Sequence, residues 1–294
     1  MPQISVLMCT YREPAAYVAE AIASIRNQTW RDFEFVIIAD DPENRAVIDL
    51  LERQAAADSR IRYWINDRNR GLPASLNIGL SHCAGSYIAR MDADDISLPE
   101  RLEKERTFLE KTEYDLISCN YILFSENGEE VPFIHPETHE ACAERIRHLN
   151  GLCHPGWLGR REVFEKLGGY REIPACEDYD FTLRAVRAGF RIGNVQETLL
   201  RYRNNAGSIS NTGNVRQYIL ATALARDFRR GRSTEMETVN AYLASDRFRR
   251  RVAGEARLRK KKAAWRQAAG PRKLGALLPV LADPWLYEDF ILRH

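Results

Sequence analysis

A chain of 294 residues with 45% apolar and 29% charged side chains has the length for one large α/β domain with an appendage, and the composition of a folded globular protein. Disordered, collagen-like and disulfide-scaffold classes are excluded. The formal charge of +2 hides a division: residues 226–273 carry 16 Lys or Arg against 5 Asp or Glu, so a basic C-terminal part and an acidic remainder face different partners.

No stretch reaches the roughly 20 apolar residues that cross a bilayer, and Met1-Pro2-Gln3-Ile4 has no signal-peptide pattern. A cytoplasmic protein is expected. Six scattered cysteines without a Cys-x-x-Cys pair predict reduced, packed thiols.

In chain order, the apolar run Ile4–Met8 predicts a first buried strand, Ala16–Asn27 a helix with Val18, Ala21, Ile22 and Ile25 on one face, and Phe35–Ala39 a second strand. Val47–Ala56 follows as helix, Ile61–Ile65 as strand, Leu72–Ser81 as helix and Tyr87–Met91 as strand. This alternation predicts a parallel sheet covered by helices, with ligands beyond the carboxyl ends of its strands. Three strands end there in polar clusters: Thr10-Tyr11-Arg12-Glu13, Asp40-Asp41-Pro42 and Asp92-Ala93-Asp94-Asp95. Later, Pro99–Lys111 predicts a helix, Asp115–Phe124 a strand ending near the Asn127-Gly128 turn, and Arg160–Leu167 and Tyr179–Ala188 two helices stopped by glycine. Beyond residue 215 only helix is expected.

Three carboxylates at a strand end repel one another unless a cation joins them, and hard oxygen ligands suit Mn²⁺ or Mg²⁺ bridged to substrate phosphates. The competing reading is a solvated turn in which Asp95 or Ser97 caps the following helix. Asp40 or Asp41 can hold a base or ribose, Tyr11 can stack on a base, and Thr10 can hydrogen-bond it; each is also compatible with an ordinary turn. Arg68-Asn69-Arg70-Gly71 offers positive charge and helix amides to a diphosphate. Neither Gly-x-Gly-x-x-Gly nor a phosphate loop ending in Gly-Lys-Ser/Thr is present, which disfavours dehydrogenases and P-loop enzymes. Glu177-Asp178 can supply a general base or merely complement a helix N-terminus. His154 and Trp157 can position an acceptor or form a buried turn. His135 and His139 have a zinc-like spacing, but His135-Pro136 opposes a regular helix there.

The ordered set of motifs resembles the family 2 inverting glycosyltransferases of GT-A fold, from Ile4 to Ser210. It comprises Ser5–Tyr11, Ala21–Thr29, Asp32–Phe35 leading to Asp40, Asn69-Arg70-Gly71, Leu76–Gly79, Gly85–Asp95, Pro99–Leu102, Gly168-Gly169-Tyr170, Glu177–Asp180, Tyr202-Arg203 and Ser208-Ile209-Ser210. The resemblance implies an α/β, Rossmann-like, mostly parallel sheet flanked by helices: residues 1–98 the nucleotide-sugar half, 99–215 the acceptor half, and 216–294 a helical basic extension. It further implies that Thr10, Tyr11, Glu13 and Asp40 hold the nucleoside, Asp40 reading the base, with Arg70 and Asn77 completing the donor site. Asp92, Ala93 and Asp94 become the Asp-x-Asp motif, with Asp94 and Asp92 holding Mn²⁺ or Mg²⁺. Asp178, beside Glu177, becomes the base, and Asp95, His154 and Trp157 lie toward the acceptor. The family often has Asp-Asp-Gly-Ser after its second strand where this chain has Ala39-Asp40-Asp41-Pro42; ungapped counting from Phe33 assigns Asp40.

The expected reaction moves a sugar with inversion from a nucleoside diphosphate donor, UDP by family default, to a hydroxyl of a saccharide or lipid-linked acceptor. The basic segment, with the apolar residues of 274–292, can meet an anionic membrane surface at the periphery of the cell membrane, or pack on the catalytic region or a second copy in a homodimer. No nucleic acid is expected. The alternatives are a sugar-1-phosphate nucleotidyltransferase, disfavoured because Thr10–Pro14 is not its Gly-rich basic loop, and a non-catalytic nucleic-acid-binding protein led by the basic tail.

Overall fold

The computed structural model describes residues 2–204, 215–232, 234–268 and 271–286. Ser208-Ile209-Ser210, Phe290 and Ile291 lie outside them. Two compact units result: one of Met1–Ile146, Asn150–Ile173 and Glu177–Ser208, the other of Arg147–Leu149, Pro174–Cys176 and Ile209–His294.

The first unit begins with β1 (Ile4–Thr10), α1 (Ala15–Arg26), β2 (Phe33–Ala39), α2 (Arg45–Ala57), β3 (Ile61–Ile65), α3 (Leu72–His82) and β4 (Tyr87–Asp92). The four strands are parallel in the order β3-β2-β1-β4. Every residue of β1 and β2 is buried, because helices cover both faces of a parallel sheet, which is why these strands are continuous apolar runs. α1 buries Val18, Ala21, Ile22 and Ile25, the stripe its spacing predicts. Asn44 caps α2 by accepting from the Val47 N–H, satisfying an amide that the helix itself leaves unpaired.

Beyond β4 the chain forms β5 (Ile96–Ser97), α4 (Arg101–Lys111), β6 (Leu116–Phe124), β7 (Glu130–Phe133), α5 (His139–Arg145), β8 (Leu158–Arg160), α6 (Arg161–Leu167), α7 (Glu177–Arg187) and β9 (Ile192–Arg203). The sheet continues without a break across residue 98: β8 lies antiparallel between β4 and β6, β9 runs parallel to β6, and β5 pairs antiparallel with β9. The twelve-residue β9 is not anticipated by sequence periodicity. Its interior holds Gly193, Asn194, Gln196 and Glu197, and the β6–β9 register shifts at Asn120, so no clean alternation exists to detect.

Two side chains explain motifs of the N-terminal half. The Gln28 amide donates to the carbonyls of Ser24 and Leu98 and accepts from the Leu102 N–H, which ties the end of α1 to the segment after the acidic turn. Buried Arg101 pairs with buried Glu105 and donates to the carbonyls of Arg90 and Trp157, locking β4 to the entrance of β8. None of the six cysteines forms a disulfide, and all are buried.

The second unit contains α8 (Val215–Arg229), α9 (Met236–Ala244), α10 (Asp246–Gln267) and α11 (Pro271–Leu281). Fully buried Asp283 draws Arg257 and Lys261 of α10, and the Trp285 indole N–H donates to Glu255, so part of the basic segment is internally neutralised. Val280 and Trp285 are buried, whereas Leu278 and Leu281 are exposed. Among the described residues no helix is long and apolar enough to cross a membrane.

Candidate active site

The carboxyl ends of β1, β2 and β4 gather the three polar clusters on one edge. At β1, the Thr10 hydroxyl and the Tyr11 N–H both donate to Glu13, at 2.8 and 2.7 Å, so Glu13 organises its own loop. Tyr11 is partly exposed beneath the Arg12 guanidinium, 4.8 Å from the ring centroid.

Asp40, the residue expected to read the base, is tied to the loop before α3. It is buried and accepts from the Asn66 amide at 2.6 Å, the Arg70 N–H at 2.8 Å and the Gly71 N–H at 2.9 Å. Both its oxygens therefore anchor the loop before α3, where Gly71 adopts φ +83°, a conformation that favours glycine. Asp41 is the more open of the two carboxylates, one oxygen accepting only from the Glu43 N–H. Arg70 and Asn77 also make contacts within the protein. The Arg70 guanidinium pairs with Asp67 on the surface. The Asn77 amide donates to the Tyr170 carbonyl and accepts its N–H, holding the turn where Gly169 has φ +74°.

Asp92 is partly exposed and paired with Arg90, a guanidinium buried inside an otherwise apolar strand. Arg90 is the site residue that sequence reading missed; the signal was an arginine in the run Tyr87-Ile88-Ala89-Arg90-Met91. Ala93 is buried, Asp94 partly exposed and Asp95 buried. Asp95 accepts from the Arg203 N–H at 2.8 Å while its other oxygen has no partner, and Arg203 also donates to the Asp94 carbonyl at 2.7 Å. Burial, together with Asp92 and Asp94, raises the Asp95 pKa well above the carboxylate range.

Glu177 and Asp178 open α7 and lie within electrostatic reach of Asp92. Burial pushes both pKa values up. The Asn150 amide, a second residue missed as an isolated polar side chain, donates to Asp178 at 2.9 Å and opposes the rise. A carboxylate so placed is more basic than a free aspartate and stays oriented.

His154 and Trp157 are buried, and neither presents a free face. His154 shares a 2.9 Å hydrogen bond with the Tyr170 hydroxyl and packs edge-on against Trp157, and Trp157, fully enclosed, stacks near Tyr170 and Phe181. This aromatic block backs the acidic edge and replaces the expected acceptor platform. Burial and the nearby Arg90 hold His154 neutral. His139 accepts from the Ile192 N–H through Nδ1, and among the described residues no three His, Cys, Asp or Glu side chains form a metal cage. A Mg²⁺ or Mn²⁺ ion held by one or two carboxylates with substrate phosphates and water needs no such cage.

Residues 5–168 match the family model for glycosyl transferase family 2. The chain belongs to this family. It is 33% identical over 205 residues to the O-antigen biosynthesis glycosyltransferase WbnJ of Escherichia coli, covering 69% of this chain and 80% of that protein. Among solved structures, S. aureus TarS 1–349 in complex with UDP-GlcNAc superposes with a TM-score of 0.63 at 18% identity, covering 94% of this chain and 79% of that one. The mannosyltransferase PcManGT of Pyrobaculum calidifontis, in complex with GDP-Man and Mn²⁺, gives 0.61 at 16% identity, covering 99% and 84%. At these identities the structural likeness establishes the fold, a GT-A sheet flanked by helices, and the family match establishes a glycosyltransferase.

Proposed function

We propose that this family 2 glycosyltransferase moves a sugar, with inversion, from a nucleoside diphosphate donor, UDP first, to a hydroxyl of a saccharide or lipid-linked saccharide in polysaccharide synthesis. The observation that carries the reading is the pairing across one edge of an acidic turn, Asp92 to Asp95, with a buried carboxylate of raised pKa, Asp178, held by Asn150. The WbnJ relationship supports the polysaccharide setting, and the ligands of TarS and PcManGT support a nucleotide sugar and a divalent ion.

In this reading Thr10, Tyr11 and Asp41 meet the nucleoside, while Asp40 and Glu13 keep their loops in place. Asp94, with Asp92, would hold Mn²⁺ or Mg²⁺ against the diphosphate, where the ion supplies Lewis-acid stabilisation of the departing phosphate oxygen. Arg90 fixes Asp92 and balances the charge of Asp92 and Glu177 from below. Asp178 accepts the acceptor's hydroxyl proton as that oxygen attacks the anomeric carbon from the face opposite the leaving group. One carboxylate suffices as base because the leaving group is a diphosphate rather than an alcohol needing a proton. The exposed Leu278 and Leu281, with the basic α10, suit contact with an anionic membrane surface.

The test is thermal unfolding with a panel of nucleoside diphosphates and their sugars, with and without Mn²⁺. One donor should raise the melting temperature only with the ion, by an amount growing with its concentration, and Asp94→Ala should lose that response. Equal stabilisation of Asp94→Ala, or none by any nucleotide, contradicts the proposal.

A further inference from the structure

The hairpin of β6 and β7 has a face that the donor chemistry leaves unused. Tyr121 and Phe133 are register partners whose rings stack at 5.0 Å, and Tyr202 of β9 lies 5.4 Å from Tyr121. Phe133 keeps 41% of its surface exposed, and Val131 and Ile134 beside it are exposed too, a local grouping of apolar surface rather than a single ring. At one end of this aromatic strip sits His135, 92% buried by its 8% exposure, its ring 5.5 Å from that of Tyr121.

The polar groups around the strip are incomplete. Neither His135 ring nitrogen makes a hydrogen bond of good geometry, although the Gly151 backbone lies near enough to affect its charge. The Arg145 Nε is buried without a partner, and among the described residues the guanidinium has no ion pair or hydrogen bond. Buried Asn194 has an unpartnered carbonyl oxygen and Asp95 an unpartnered carboxylate oxygen. Tyr121 lies within electrostatic reach of both Asp95 and Arg145, so these groups border one region that runs from the acidic turn to α5. Folded proteins pair nearly all such atoms with protein groups or ordered water, so a local cluster of exceptions calls for a physical explanation.

We propose that Tyr121, Phe133, His135 and Arg145 form an acceptor subsite for a saccharide bearing an acidic group. This rests on the transferase reading above. The open ring of Phe133, braced by Tyr121, offers a flat apolar surface to the C–H face of a sugar, while a neutral imidazole and a guanidinium suit hydroxyl and acidic groups at its rim. Burial, with Arg145 nearby, lowers the His135 pKa to about 4, so Arg145 alone supplies the positive charge near pH 7. The acidic group can be a uronate carboxylate or a sugar phosphate; both are oxyanions that a guanidinium binds through two N–H groups.

The experiment is saturation-transfer NMR on the full chain with UDP and Mn²⁺ in excess to fill the donor site. The probes are p-nitrophenyl β-glucoside, p-nitrophenyl β-glucuronide and glucose 1-phosphate. At least one acidic probe should bind about tenfold more tightly than the neutral glucoside, and the stronger of the two names the source of the acid. Arg145→Gln should remove that difference, Arg145→Lys should restore part of it, and the exposed change Phe133→Ala should weaken all three probes. UDP affinity should stay unchanged in each variant, which also reports correct folding. Equal binding of neutral and acidic probes by the wild type, or an acid preference that survives Arg145→Gln, overturns the subsite. Failure of the wild type to bind any nucleoside diphosphate with Mn²⁺ would instead remove the transferase reading beneath it.

Discussion

The turn that closes β2 and the region around β6, β7 and α5 treat their buried polar atoms differently. After β2, buried Asp40 accepts from the Asn66 amide and the N–H groups of Arg70 and Gly71 through both oxygens, although in β4 the Arg90 Nε is buried without a partner. Around β6, β7 and α5, His135, Arg145 and Asn194 keep atoms without partners, as does Asp95 in the neighbouring acidic turn. In the proposed reading, a donor site whose anchoring carboxylate is already held by backbone amides is preorganised before a ligand arrives. The proposed acceptor subsite, with its unmet polar groups, leaves recognition to the ligand, and such a site is where proteins of one fold can differ in specificity.

This contrast can be broken from either side. The largest stability effect is expected at Arg90, whose guanidinium is buried against Asp92. Arg90→Met should lower stability by roughly 3 kcal/mol, because it leaves a carboxylate uncompensated at a crowded acidic edge. Thermal unfolding reads this, and a loss no larger than that of a surface change would mean the charge balance lies elsewhere. Asp40→Asn should cost about 1–3 kcal/mol, since an amide cannot accept at both positions now used by backbone N–H groups. Asp41→Asn should leave stability within about 0.5 kcal/mol and raise the donor KM about tenfold, the loss of one hydrogen bond to a charged group. The reverse pattern would return base recognition to Asp40 and end the distinction between anchor and reader.

How far the sequence alone carries follows the same division. The strands β1, β2 and β4 were legible because both faces are covered and the residues are almost all apolar. Their polar ends then pointed to the site, and the motif order to the family. β9 was hidden by its bulge and its internal Gly193, Asn194 and Glu197. Arg90 was read as part of a strand, and Asn150 had no neighbour in sequence to mark it. His154 and Trp157 looked like an acceptor platform because composition does not say which face of an aromatic is buried; the structure encloses both. Conversely, Phe133 and Arg145 carry no motif and become visible only through exposure and missing partners.

The central claim is that the acidic turn and Asp178 divide the chemistry, the first holding the donor and the second removing a proton. Burial raises the Asp178 pKa, so the base is lost on acidification at a higher pH than for a free aspartate. Transfer should fall as pH drops through that raised value, while nucleotide binding through Asp94 persists. The most direct measurement is therefore transfer rate and UDP affinity side by side in Asp178→Asn, at several pH values with Mn²⁺. The account predicts a loss of transfer of about 10²–10⁴-fold, as expected for a missing general base, no remaining acid limb assignable to this residue, and UDP affinity close to that of the wild type. Normal turnover with weakened UDP binding would contradict it and place Asp178 in the donor site.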